Sequence, residues 1–187
     1  MDMKLYKKIL KESVKILIFA SIVSSAGGIG VEVLKAKIAA IIPLVILLPA
    51  LNDMIGDFGT VISSKFTTLL YQGKVKRQWW ESSELGNEFR VVSSIALFAA
   101  FYLSVASVLI AVLQGVPIDI IESLKIVTIT FMATTTLVLI IFFLSIIGGL
   151  WVYRRGKDPN NFLIPVTTSV ADLSSLILLS FLVAFLF

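Results

Sequence analysis

Apolar runs of helical length alternate with short polar connections along this chain. They predict five membrane-spanning helices at about residues 9–30, 38–71, 91–113, 124–153 and 159–186. The second run is the odd one. As a single helix, residues 36–71 would reach roughly 50 Å, against a hydrocarbon core of about 30 Å, so this segment is expected to break or protrude. Pro43 and Pro49 lie in its first half. In the first run, the lysine-rich start, the apolar stretch and Ser24-Ser25-Ala26 have the outline of a signal peptide. No soluble domain follows, so the segment reads as the first span, with Gly27, Gly28 and Gly30 marking close helix packing or its end. Val33 stands where a dinucleotide fingerprint needs its third glycine, which removes the phosphate-loop reading. Spans three and four read as scaffold: Ser93, Ser94, Ser104 and Ser107 fit small-residue packing, and Thr128, Thr130, Thr134, Thr135 and Thr136 fit bonding to their own helix carbonyls.

Two of the spans carry a polar stripe. In the last one, Asn161, Pro165, Thr168, Asp172 and Ser175 recur at alternating steps of four and three and so share one helix face. A carboxylate near the bilayer centre costs about 2.5–3.5 kcal/mol even on the lenient insertion scale, so Asp172 is expected to face a bundle interior or a watery path. Pro165 adds to this face by freeing the carbonyl of Asn161. In the second span the text turns polar after Pro49, and Asp53, Asp57, Thr60, Ser64 and Thr67 repeat the same steps. Two stripes of equal period can face each other. The bland alternative is stronger for the second stripe, because its later residues, Lys65 among them, belong equally well in cytoplasmic water. Gly56-Asp57 also appears in intramembrane aspartyl proteases, but Met54 occupies a position where that motif has glycine.

Composition narrows the chemistry. The chain has 187 residues, 58% of them hydrophobic and 15% charged, with a mean hydropathy of +1.00, which places it among all-α integral membrane proteins. It has no cysteine and no histidine. Thiolate and imidazole are therefore missing, and any bound metal is expected to be a hard cation held by oxygen. The same absence removes disulfides, a cysteine nucleophile and a histidine base, which points away from an enzyme. The net charge of +4 resides in short connections between apolar runs, so it speaks for membrane topology and against nucleic acid. Between residues 72 and 90, basic residues with Trp79 and Trp80 predict an interfacial helix on the cytoplasmic surface.

Five spans with the N-terminus inside put Lys4, Lys7, Lys8, Lys11, Lys15, Lys74, Lys76, Arg77, Arg90, Arg154, Arg155 and Lys157 in the cytoplasm. Only Lys35, Lys37 and Lys125 fall outside. That asymmetry supports an N-in, C-out protein of the cell membrane.

Two segments together resemble the membrane domain of the MgtE family and its eukaryotic solute-carrier relatives, carriers of magnesium and related divalent cations. The first runs from Pro49-Ala50-Leu51 through Gly56-Asp57-Phe58-Gly59 to Ser63-Ser64-Lys65-Phe66-Thr67-Thr68. The second joins Asp158-Pro159-Asn160-Asn161 to Pro165-Val166-Thr167-Thr168-Ser169-Val170-Ala171-Asp172. The resemblance implies a twofold-symmetric homodimer with a conduction path between the second and fifth spans, where Asp172 faces hydrated magnesium. Asp57 stands where the family usually has asparagine, which implies extra negative charge in the path or coupling to another ion. The expected organisation is one MgtE-like domain over residues 1–187 with no soluble regulatory domain; eukaryotic relatives carry two such halves, and a dimer would supply the second.

The resulting expectation is a magnesium-preferring channel or transporter with no resident cofactor, the ion being cargo. Asp172 is central, Asp53 and Asp57 form a second layer, and Asn52, Thr168 and Asn161 are neutral oxygen donors. Magnesium keeps several of its waters and is held by one or two carboxylates, which suits such a set. The expected partners are membrane lipid, a second copy and divalent cations. The alternatives are a sodium- or proton-coupled exchanger of the same fold, using Asp53 or Asp57, and an accessory subunit without transport of its own; an intramembrane enzyme ranks last.

Overall fold

The computed structural model describes the backbone of residues 3–75 and 78–187, with the side chains of 3–13, 30, 33 and 34 left aside. Lys4, Lys7, Lys8, Lys11, Lys76 and Arg77, which entered the charge asymmetry, lie outside the described side chains. The elements are α1 (Met3–Ala40), α2 (Ile42–Tyr71), a 3₁₀ turn at Trp79–Glu81, α3 (Ser83–Leu113), α4 (Ile120–Arg154) and α5 (Pro159–Leu186). Among the described residues no strand occurs. Helices α2 to α5 are each long and apolar enough to cross a membrane, and α1, 38 residues long, is apolar within its described side chains Val14–Ile29. The chain is thus a multi-pass membrane protein, with Phe98, Phe101 and Tyr102 of α3 among the large side chains turned outward.

Local chemistry sets the helix ends. Gly73, Gly115 and Gly156 follow α2, α3 and α4 at φ of 68°, 82° and 67°, a conformation open to glycine. The next residue's N–H then reaches back to a carbonyl of the last turns, as Lys74 does to Leu69 at 3.0 Å, Val116 to Ala111 at 3.1 Å and Lys157 to Val152 at 3.3 Å. At the other ends, Asp119 accepts from the Glu122 N–H at 2.6 Å and Asp158 from the Asn160 N–H at 3.0 Å, capping α4 and α5.

Three boundaries differ from the sequence expectation. The glycines do not end the first helix: α1 runs through them to Ala40. The break in the long second run comes at Ile41 (φ −111°, ψ 87°), and α2 then continues through Pro49. Pro43, at the start of α2, explains the place, since its ring would clash with the Ala39 carbonyl if α1 continued, while its missing N–H costs nothing in a first turn. Among the described residues of 72–90 the only helical piece ahead of α3 is the short 3₁₀ turn at Trp79–Glu81, and α3 itself already begins at Ser83. Leu85 and Val92 are buried, with Phe89 packed against the core between them, so the apolar face of α3 reaches into this polar stretch.

α5 packs against α1, α2 and α4, and α2 packs against α3 and α4. Leu44, Leu47, Leu51 and Ile55 of α2 and Ile126, Ile129, Ala133 and Leu137 of α4 form much of the core. In lipid such helices are held by close packing and interhelical hydrogen bonds more than by apolar burial. The buried Ser63 hydroxyl supplies two such bonds, lying 3.3 Å from that of Ser145 and 3.0 Å from that of Thr167, so that α2, α4 and α5 are pinned at one point. Of the threonines expected to bond their own helix carbonyls, Thr128 donates to the Leu124 carbonyl at 2.8 Å and Thr130 to Ile126 at 2.7 Å, whereas the buried Thr134 hydroxyl has no partner; Ser107, expected to serve packing, also donates to the Ser104 carbonyl at 2.9 Å.

Candidate functional site

Asp172 is the fourteenth residue of α5, about 20 Å along the helix from Pro159 and so near its middle. Its side chain is half-buried, and both carboxylate oxygens are engaged. The Asn52 side-chain amide of α2 donates to Oδ1 at 2.9 Å, and the Ser24 hydroxyl of α1 donates to Oδ2. Asn52 is held in turn, because the Ser175 hydroxyl, one turn further along α5, donates to its Oδ1. Ser175 also lies 3.1 Å from the backbone carbonyl of Asp172. Three helices therefore converge on one carboxylate through neutral donors. Such donors orient a charge in a membrane interior without cancelling it.

α1 can reach this point because Gly27 has no side chain. A Cβ there would lie 3.0 Å from the Leu173 Cα and 3.3 Å from the Asp172 carbonyl oxygen. Gly27 is thus a close-packing glycine, one of the two readings its position allowed. Gly59 of α2 plays a similar part opposite Thr167, whose Oγ1 would be 3.3 Å from an added Cβ.

Beside the carboxylate, α2 and α5 border a groove of about 690 Å³, open on one side. Asp172 and Thr168 line it from α5; Pro49, Ala50, Asn52, Asp53, Gly56, Asp57 and Thr60 line it from α2. Among the described residues it holds three carboxylates and no basic side chain. Asp53 and Asp57 are exposed in the single chain. No three carboxylate side chains converge as a ready chelating set among the described residues.

The two stripes do face each other, but only in part. Asp172, Asp53, Asp57, Asn52 and Thr168 come to the groove, together with Thr60. Asn161 does not. It borders a different cavity with Lys15 and Trp151, because sharing a helix face does not bring residues to one level, and eleven positions along α5 amount to about 16 Å. Thr67, at the end of the α2 stripe, is buried in the core. The Lys65 side chain is exposed, its Nζ 3.3 Å from the Glu88 carboxylate of α3. Ser24 is the residue the sequence did not announce: it lies among small residues that read equally well as packing, and nothing local points to a carboxylate 148 positions away.

A family model described as MgtE, divalent cation transporter, matches residues 48–182. No curated protein and no solved structure matches the chain significantly. The match includes every residue lining the groove and leaves Ser24 outside. With most of its length accounted for in this way, the chain belongs to the MgtE family of divalent cation transporters.

Proposed function

We propose that two copies of the chain pair about a twofold axis and conduct magnesium in preference to other cations, along a path formed by the α2–α5 grooves of both. The observation that carries this reading is the groove itself, with Asp172, Asp53 and Asp57 lining it and, among the described residues, no basic one to neutralise them. Carboxylates set in a row without converging suit an ion that keeps its water shell, and magnesium sheds its waters reluctantly. A contact made through water also lets the ion leave, as conduction requires. Pairing gives the open side of the groove a neighbour and doubles the charge that faces the ion.

In this reading α1 is the fifth crossing, the N-terminus is cytoplasmic and the C-terminus is outside. As a helix of 38 residues α1 is about 57 Å long, more than the core requires, and Lys15 ahead of its apolar run extends toward the headgroups. Asp172 is the central site, Asp53 and Asp57 form a second layer, and Asn52 and Thr168 are neutral donors beside them. Asn161 has no part in the path.

The deciding measurement is divalent uptake into proteoliposomes by the full chain and by Asp172→Asn, with calcium, manganese and cobalt as competitors. Magnesium uptake is expected in the first and to be lost in the second, with the same melting behaviour in detergent. Equal uptake by both would end the assignment of Asp172.

A further inference from the structure

A second cavity, of about 470 Å³, lies between α1 and the α4–α5 connection, well away from the groove. We infer that it holds the phosphate of an anionic membrane phospholipid. Two lysines, Lys15 of α1 and Lys157 of the connection, line it. Neither takes part in an ion pair: among the described residues the ion pairs are Lys35–Glu32 and Lys65–Glu88. Asp158 is the single acid in the lining, and its Oδ1 accepts the Asn160 N–H as the cap of α5. A third cation stands at the edge, where the Arg155 guanidinium stacks on the Trp151 ring at 3.8 Å. Positive charge therefore exceeds negative at this mouth, and nothing described on the protein neutralises it.

The walls are of the opposite character. Trp151 and Phe162, with ring centroids 5.9 Å apart, and Ile16 make an apolar side to the same cavity. A pocket with a basic end and an aromatic flank is complementary to a phosphodiester with an acyl chain attached, more than to a soluble anion that has no use for the flank. Its level in the fold agrees. On α1 Lys15 immediately precedes the apolar run from Ile16, α4 ends at Arg154 and α5 begins at Pro159, so three helices meet the headgroup region where the cavity opens. The inference does not depend on which leaflet this is, nor on the groove carrying magnesium.

The test uses the purified full chain in detergent, offered equal amounts of phosphatidylglycerol and phosphatidylcholine, with retained lipid read by native mass spectrometry. Phosphatidylglycerol is expected to be retained several-fold over phosphatidylcholine. Lys15→Gln with Lys157→Gln should abolish that preference, whereas Lys74→Gln with Arg90→Gln, which removes the same charge elsewhere, should leave it. Equal retention of the two lipids by the unaltered chain would overturn the proposal, as would an equal loss in both double variants. Displacement of the lipid by soluble glycerol phosphate at comparable concentration would overturn it too, since a free anion would then be the occupant. If the pocket double variant does not fold, the comparison of lipids on the unaltered chain decides alone.

Discussion

The hydroxyl of Ser24 donates to Oδ2 of Asp172, joining α1 to the middle of α5 across 148 positions of sequence. Together with the Asn52 amide on Oδ1, it fixes the plane and direction of a carboxylate that would otherwise turn freely about its last torsion. An interhelical hydrogen bond in a membrane protein is worth about 0.6 kcal/mol on average and about 1.7 at most. If that energy holds Asp172 in its working orientation, Ser24→Ala should slow divalent uptake by roughly 3- to 15-fold, with Ser24→Thr restoring part of it. Initial rates against magnesium concentration check this, and an unchanged rate in the alanine variant would leave Ser24 with a packing role alone.

Asn52 has a larger effect on stability than Ser24, because two groups depend on it. Asn52→Leu is close in size but leaves Oδ1 of Asp172 without a partner and the Ser175 hydroxyl with the Asp172 backbone carbonyl alone. Leaving a buried polar group unpaired costs about 1–3 kcal/mol, and more when it is charged. The variant is expected to melt several degrees below the unaltered protein in detergent and to lose uptake, whereas Ser175→Ala, which removes a neutral hydroxyl with its bonds and leaves the Asp172 carboxylate paired, should lower the melting point less. Equal melting points for all three proteins would mean that this network does not join α2 to α5.

Asp53 and Asp57 call for a different experiment. They are exposed in the single chain, and among the described residues neither is in an ion pair. Their effect on a passing cation acts through space and is screened with a Debye length of about 10 Å at 0.1 M salt. Asp53→Asn and Asp57→Asn should therefore reduce uptake several-fold at low ionic strength and much less at high ionic strength. Asp172→Asn should abolish it at both. A loss in Asp57→Asn that salt does not relieve would place that residue in direct contact with the ion.

Particular residues show what was legible in the sequence. Asp172 stood out because an acid in an apolar run is costly, and that cost is a property of the residue and its neighbours in sequence. Helical period then put Asp53 and Asp57 on one stripe of α2 and Thr168 on one of α5, and these stripes border the same groove; Asn52, outside the stripe, borders it as well. The period failed for Asn161, since it gives direction around an axis and leaves level along the axis to the partner helix. Ser24 was hidden for a related reason: its role comes entirely from where α1 crosses α5, which short-range pattern does not encode. The glycine at 27 read equally well as close packing or as a helix end; it packs against α5, a packed glycine does not end its own helix, and α1 runs on to Ala40. The break at Ile41 was foreseen in kind but not in place, because Pro43 and Pro49 are alike in sequence and differ only in which falls in a first turn.

Gly27 offers the most direct test of whether the approach of α1 matters to the groove. An alanine Cβ there would meet the Leu173 Cα at 3.0 Å and the Leu176 Cδ1 at 3.1 Å. The leucine side chain can turn aside, but the backbone cannot, so α1 must shift away from α5 by a few tenths of an ångström. Overpacking of this kind costs about 1–3 kcal/mol, and a valine or leucine would demand a larger displacement. Gly28, whose added Cβ would meet nothing within 4 Å, is the control in the same helix turn. Gly27→Ala is expected to lower the melting point and slow uptake, Gly27→Leu to abolish uptake, and Gly28→Ala to change neither. Because the shift at Gly27 also pulls the Ser24 hydroxyl from Asp172, Gly27→Ala combined with Ser24→Ala should be little worse in uptake than Gly27→Ala alone. Losses that multiply in the double variant would show that α1 acts on the groove by two separate routes.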